Sequence, residues 1–166
     1  MEAETVITLE EMAGKYLTFK LASEEYALEI TKVIEIIGMM DFTSLPRTPD
    51  FVKGVINLRG KVIPVIDLRL RFGLPEADYT DKTCIIVVEI HQDGAKIQIG
   101  IIVDSVSEVL YVAVEEIEET PRFGLSLNTE YILGMAKGKG IVRTLLDIDR
   151  VLVNDELNIL AETTTV

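Results

Sequence analysis

Glu35 and Glu108 are the two carboxylates whose placement could support chemistry. Each sits in a copy of one pattern, apolar-x-x-Val-x-Glu-apolar. The copies are Ile30-Thr-Lys-Val33-Ile-Glu35-Ile36 and Val103-Asp-Ser-Val106-Ser-Glu108-Val109. A carboxylate pair can divide acid and base roles in hydrolysis, but duplicated placement is more simply structural. The only histidine, His91, falls in His91-Gln-Asp-Gly94, which reads as an exposed turn. The only cysteine, Cys84, opens the apolar run Cys84-Ile-Ile-Val-Val88 and reads as a buried thiol. One His and one Cys make neither a Cys–His pair nor a zinc set. No G-x-S-x-G, P-loop or dinucleotide fingerprint occurs. Gly138-Lys-Gly140 reads as a hairpin tip leading into a strand, so it lacks the helix dipole of a phosphate site. These residues offer no catalytic group, no metal site and no cofactor site.

Arg59 is the residue of most interest. It stands just before Gly60 in Asn57-Leu58-Arg59-Gly60, a predicted hairpin tip, so its guanidinium should project from the body. A planar fork at such a place suits an interface anchor. Glu35 is the expected intramolecular partner. A second candidate signal is Pro64, in mid-strand, which cannot donate to a ladder and implies an edge or a bulge.

The elements that must position these residues repeat. Gly54, Gly60 and Asp67 recur as Gly134, Gly140 and Asp147 at one fixed offset, with six apolar positions matching around them. Two Gly and one Asp match in a given register by chance at roughly 3 in 10,000, so duplication is the natural explanation. The Val-x-Glu echo follows the same order, with an offset shorter by seven residues. Period-two patterns predict strands at Tyr16–Leu21 and Tyr26–Ile30 around a Ser23-Glu24-Glu25 turn, and at Lys82–Ile90 and Lys96–Val103. Two further hairpins are predicted: 55–57 with 61–67, and 131–136 with 141–147. Helix is predicted only at 49–53, 68–72 and 149–160, the last through Val151, Leu152, Leu157 and Leu160. Many short strands with Gly turns predict small barrels. The expected domain spans 15–160, divided near 75–85, with a loose leader 1–14 and a frayed tail 161–166.

The net charge of −12 argues against nucleic acid. Residues 47–71 nevertheless carry a net +4, which leaves −16 elsewhere, part of it in Glu115-Glu116-Ile-Glu118-Glu119. That asymmetry is either a solvated surface or electrostatic steering of two different partners. There is no run of 18 apolar residues and no apolar leader. With a single buried thiol, the expected location is the cytoplasm.

The 16-residue segment Gly54-Val-Ile-Asn-Leu-Arg-Gly-Lys-Val-Ile-Pro-Val-Ile-Asp-Leu-Arg69 closely resembles the signature of the bacterial chemotaxis coupling family, CheW. Tyr26-Ala-Leu-Glu-Ile30, Val33-Ile-Glu35-Ile36, Leu45-Pro-Arg-Thr-Pro49 and Gly100-Ile-Ile-Val-Asp-Ser-Val-Ser-Glu-Val109 support it. The resemblance implies a mainly β fold: two intertwined five-stranded SH3-like barrels around a shared core, with a C-terminal helix. It implies a non-enzymatic adaptor between the cytoplasmic tips of methyl-accepting chemoreceptors and the regulatory domain of the chemotaxis histidine kinase CheA, recruited to receptor arrays at the membrane. A non-flagellar chemosensory kinase is the alternative client. Carried over by position, receptor contacts fall to Val33, Glu35, Arg59, Gly60, Val106, Val109 and Gly134, and kinase contacts to Lys53 and Gly54. A small-ligand or enzymatic use of the inter-barrel cleft is the competing class, for which the chain offers no reactive group.

Overall fold

The computed structural model describes residues 8–119, 131–138 and 140–152. The first hairpin pairs β1 (Gly14–Leu21) with β2 (Glu24–Glu29), and a one-turn 3-10 segment, Ile30–Lys32, leads into β3 (Val33–Gly38). A second hairpin joins β4 (Val52–Leu58) to β5 (Lys61–Asp67), followed by the helical turn α1 (Leu68–Arg71). The chain then repeats itself. A hairpin of β6 (Cys84–Gln92) and β7 (Ala95–Val103) is followed by β8 (Ser105–Val112) and the two-residue β9 (Ile117–Glu118). The last hairpin joins β10 (Ile132–Gly138) to β11 (Ile141–Leu146), and the helical turn α2 (Ile148–Val151) follows it.

The two sheets do not follow the two halves. Among the described residues, one sheet has the order β8-β1-β2-β11-β10-β9 and the other β3-β6-β7-β5-β4. Each barrel therefore takes a hairpin from one half and its other strands from the opposite half. The joints are parallel: Leu145 lies beside Ala27, and Val65 beside Gly100. The connection over 72–83 separates the half-chain repeats, near the expected 75–85, but it is not where one barrel ends and the next begins. Interruptions of the ladder also repeat. One lies between Val52 and Gly54 and again between Ile132 and Gly134. Another lies between Val33 and Glu35 on β3, and across from Leu17 to Phe19 on β1 against β8.

Side-chain alternation sorts the apolar residues into three clusters. Ile56, Ile63, Val65, Ile85, Val87 and Ile102 fill the interior of the β3–β7 barrel. Tyr16, Ala27, Val112, Ile117, Ala136 and Leu145 fill the other, together with Met12. Between the barrels a larger cluster includes Phe19, Leu28, Leu68, Ile86, Ile101 and Ile148, all buried. Truncating a large side chain such as Phe19 in a core of this kind typically costs about 3–5 kcal/mol. The two Asp residues of the repeat cap the helical turns. Asp67 Oδ1 accepts from the Arg69 amide at 3.0 Å, and Asp147 Oδ1 from the Arg150 amide at 3.4 Å.

Several local expectations are corrected. The first turn lies at Ala22–Ser23, with Ala22 at φ 57°, so Glu24 and Glu25 belong to β2. His91 lies on β6, because Asp93 (φ 50°) and Gly94 (φ 79°) already make the turn. Residues 49–53 form no helix; Val52 begins β4. Part of the leader is ordered as a helical turn, Leu9–Met12, capped by Thr8. Cys84 is half-buried rather than fully buried, and burial raises its thiol pKa. One sheet has six strands rather than five, because β9 adds to β10. The C-terminal helix begins at Ile148; its expected continuation to Leu160, and the tail 161–166, lie outside the described residues.

Pro64 is neither at an edge nor at the bulge, since β5 lies between β4 and β7. The residue opposite, Val55, turns both of its backbone groups to Thr43, at 2.8 and 2.9 Å. The parallel ladder with β7 starts only at Val65. A missing N–H at Pro64 therefore leaves no strand unpaired.

Candidate functional site: the edge strands β3 and β8

The register of β3 and β8 turns apolar side chains outward from the shared core on two strands. Both are terminal strands of their sheets, each paired on one side only among the described residues. Directly paired residues share a face. Val33 faces Val88 and Ile36 faces Ile86, both partners belonging to the cluster between the barrels. Val106 faces Phe19 and Val109 faces Leu17, again in that cluster. The shared core thus continues outward along two edge strands. Val33 and Val106 are half-buried and packed on it, while Ile36, Val109 and Tyr111 stay 45%, 51% and 67% exposed. Exposed apolar residues on strands that continue a core mark a candidate docking surface better than scattered ones do.

Arg59 stands at the hairpin tip beside β3, paired with Glu35. The tip Leu58–Lys61 is a two-residue turn with Arg59 at φ 53° and Gly60 at φ 86°, the signs of a type I′ turn. The Asn57 side chain accepts from the Gly60 amide at 2.8 Å and braces it. Arg59 pays the steric cost of a left-handed conformation that Asn or Gly would avoid. Its guanidinium donates to Glu35 Oε1, joining β3 to the tip, and this contact raises the Arg59 pKa. Glu35 lies inside the bulge of β3, on the face of barrel-lining Val87. The equivalent Glu108 is exposed, and its backbone is held by the buried Thr18. Thr18 Oγ1 donates to Glu108 O at 2.9 Å and accepts from Glu108 N at 3.0 Å. The two glutamates therefore have different partners.

The remaining expected site residues are placed differently. Gly134 is buried in the β8–β11 barrel, where a Cβ would come within 2.9 Å of Glu118 O. Gly54 is buried too, at φ 144°, and a Cβ there would lie 2.0 Å from Thr43 O. Lys53 Nζ pairs with Glu76 at 3.0 Å. The basic stretch 47–71 is mostly spent internally: besides these pairs, Arg69 meets Asp104 at 3.1 Å, and Arg71 is stacked between rings. Arg47 and Lys61 are what it leaves exposed without an ion pair among the described residues. Lys139, at the second tip, lies outside the described residues.

Pattern reading missed Ile36, Tyr111 and Arg71. The first two carry no signal in a strand that looks alternately apolar; only the register shows their faces. Arg71 lies 5.1 Å from the Phe51 ring centroid and 4.9 Å from that of Tyr131. It donates to the Tyr131 hydroxyl at 2.7 Å and to Val151 O at 3.0 Å, so it ties one half-chain to the other. It borders a second, open cleft of about 620 Å³, lined also by Tyr26, Phe72 and Leu74. No acid–base pair faces that cleft among its lining residues. Among the described residues no three His, Cys, Asp or Glu converge on a metal position, and no helix is long and apolar enough to cross a membrane.

Two β barrels that exchange strands around a shared core, with apolar edge strands β3 and β8 and an arginine at a hairpin tip, define the architecture of this chain. The profile described as CheW-like domain matches residues 15–156. The chemotaxis protein CheW of Klebsiella aerogenes is 39% identical over 155 residues, which cover 90% of this chain and 91% of that protein. That of Bacillus subtilis is 37% identical over 139 residues, 83% of this chain and 86% of that one. The crystal structure of the scaffolding protein TtCheW from Thermoanaerobacter tengcongensis is similar at a TM-score of 0.75 and 36% identity, covering 87% of this chain and 96% of that one. The chain belongs to the CheW-like family.

Proposed function

We propose that this protein is a non-enzymatic adaptor of chemotactic signalling, working in the cytoplasm. In this reading it couples the tips of methyl-accepting chemoreceptors to the regulatory domain of the histidine kinase CheA, and receptor arrays recruit it to the membrane. What supports the reading is the apolar edge faces of β3 and β8 (Val33, Ile36, Val106 and Val109), with Arg59 and Gly60 at a neighbouring tip, which in this reading line one groove. An apolar channel with one charged anchor suits a helix laid along it, and a receptor tip is a helical hairpin. Glu35 holds the Arg59 fork until a partner carboxylate or carbonyl takes it. Gly134 serves from behind, by setting the shape of the second barrel. For the kinase, Lys53 and Gly54 shape the β4 side of the other barrel, where Gly54 allows the close approach of Thr43.

No bond is made or broken in this role. Receptor packing in the groove changes the geometry in which the kinase is held, and couplings of this type are typically ~1–3 kcal/mol. The test is co-purification with a receptor tip and with a kinase regulatory domain, separately and together. Arg59→Ala and Val33→Met are expected to weaken receptor capture at least ~10-fold, the equivalent of about 1.4 kcal/mol, while the kinase domain is still retained. Unchanged receptor capture by a well-folded Arg59→Ala protein rejects the groove.

A further inference from the structure

At one interior position the half-chain repeat sets a charged residue against an apolar one. Ile63 on β5 corresponds to Arg143 on β11, at the offset that matches Gly54 to Gly134. Ile63 is 1% exposed and packs among the apolar side chains of its barrel. Arg143 is 6% exposed on the same face as buried Leu145, and its Nε lies 3.0 Å from Glu25 Oε2 of β2. The contact is an ion pair without good hydrogen-bond angles, since neither atom is otherwise satisfied. The parallel joints give the counterpart of Glu25. Ala27 lies beside Leu145 and Gly100 beside Val65, so Glu25 corresponds to Gln98. One barrel has Glu25 with Arg143 where the other has Gln98 with Ile63.

A duplicated chain has two ways to close its barrels. The observed way is crosswise, with β2 beside β11 and β7 beside β5. The other keeps each half to itself, with β2 beside β5 and β7 beside β11. Backbone pairing hardly distinguishes them, because bulges, turns and caps occur in both halves. The interior side chains do. In the self-contained arrangement Glu25 would face Ile63, and Arg143 would face the neutral amide of Gln98. Each charge would then be desolvated without its counter-charge, the costly situation for buried ions. Buried ion pairs add little net stability against apolar replacements, but they can fix register and partner.

We propose that the Glu25–Arg143 pair selects the crosswise pairing of the half-chains. This conformational device lies outside the groove and does not depend on what the groove binds. It is tested on the full-length chain with Cys84→Ala, refolded from denaturant and then oxidised. Ala27→Cys with Leu145→Cys reports the crosswise joint, and Ala27→Cys with Val65→Cys reports the self-contained one. With the native pair, only the first should cross-link. In the symmetrised Glu25→Gln, Arg143→Ile chain, which copies the arrangement of the other barrel, the second cross-link should rise at least ~10-fold. Exchanging the charges, Glu25→Arg with Arg143→Glu, should restore the first. A symmetrised chain that still cross-links only crosswise overturns the proposal. Should that chain not refold, the single reversal Glu25→Arg sets like charges together in the crosswise joint and must raise the second cross-link; no rise there overturns it equally.

Discussion

The hairpins β4–β5 and β10–β11 share a backbone and differ in what they expose. Both have the bulge at a buried glycine, a turn glycine with positive φ, and an aspartate that caps a helical turn. Even the long-range bonds repeat, from the Asp67 amide to Phe51 O and from the Asp147 amide to Tyr131 O, both at 2.8 Å. The first hairpin joins its tip to the neighbouring edge strand β3 through Arg59 and Glu35. The second alone has an ion pair inside its barrel. Duplication has kept what the backbone needs, while positions free of backbone duty have taken on separate tasks.

The largest effect that would break this comparison lies at the bulge glycines. Gly54→Ala puts a Cβ 2.0 Å from Thr43 O and is strained by its φ, whereas a Cβ at Gly134 would stand 2.9 Å from Glu118 O, still closer than a Cβ normally comes to a backbone oxygen but with less overlap to relieve. Gly54→Ala is expected to cost more than ~3 kcal/mol in urea unfolding and Gly134→Ala about 1–2 kcal/mol. Equal costs would mean that the two bulges are not built for different approaches. Next comes the bulge between β1 and β8. Thr18→Val makes it like the other barrel, where Val87 occupies the corresponding place, and strips the Glu108 amide of its acceptor. A loss of about 1–2 kcal/mol is expected; no loss would show that the hydroxyl is dispensable.

The smallest effect is in pH dependence, and it should be alike in both hairpins. Burial raises the carboxyl pKa of Asp67 and of Asp147, against the lowering effect of helix-turn amides. Asp67 lies 3.5 Å from the Tyr79 hydroxyl, and burial with that neighbouring charge pushes the Tyr79 pKa up to about 12. A carboxyl whose pKa is higher folded than unfolded binds its proton more tightly in the native state. Its protonation therefore contributes stability below the unfolded pKa, and that contribution is lost as pH rises through the folded pKa. Asp67→Asn and Asp147→Asn remove this response while keeping a capping side chain. From pH 7 down to pH ~3, the melting temperature of the unaltered protein should improve relative to each variant. A relative fall on acidification would reverse the assignment.

Much of this was legible in the residues. The fixed spacing of Gly54, Gly60 and Asp67 with their copies marked the hairpins, because positive φ and helix capping each admit few residue types. The Arg59–Glu35 contact was legible as well, since a turn-tip arginine needs an acceptor within reach. Alternation marked most strands. It failed at Ala22 and Asp93, where non-glycine residues take the left-handed conformation that glycine usually signals.

The sequence by itself determined the duplicated β units, their turns and caps, and the arginine at one tip, because these follow from the local geometry of a few residues. Tertiary structure alone decided that the halves exchange strands. It also decided that Ile36, Val109 and Tyr111 are exposed, that the glycines at 54 and 134 are buried, and that Lys53, Arg59, Arg69 and Arg71 of the basic stretch are taken up by internal partners. The physical reason is that period-two alternation shows that a strand has two faces but not which partner covers either one. That depends on pairing between residues distant in the chain, where bulges shift the register and a buried charge must find its counter-charge.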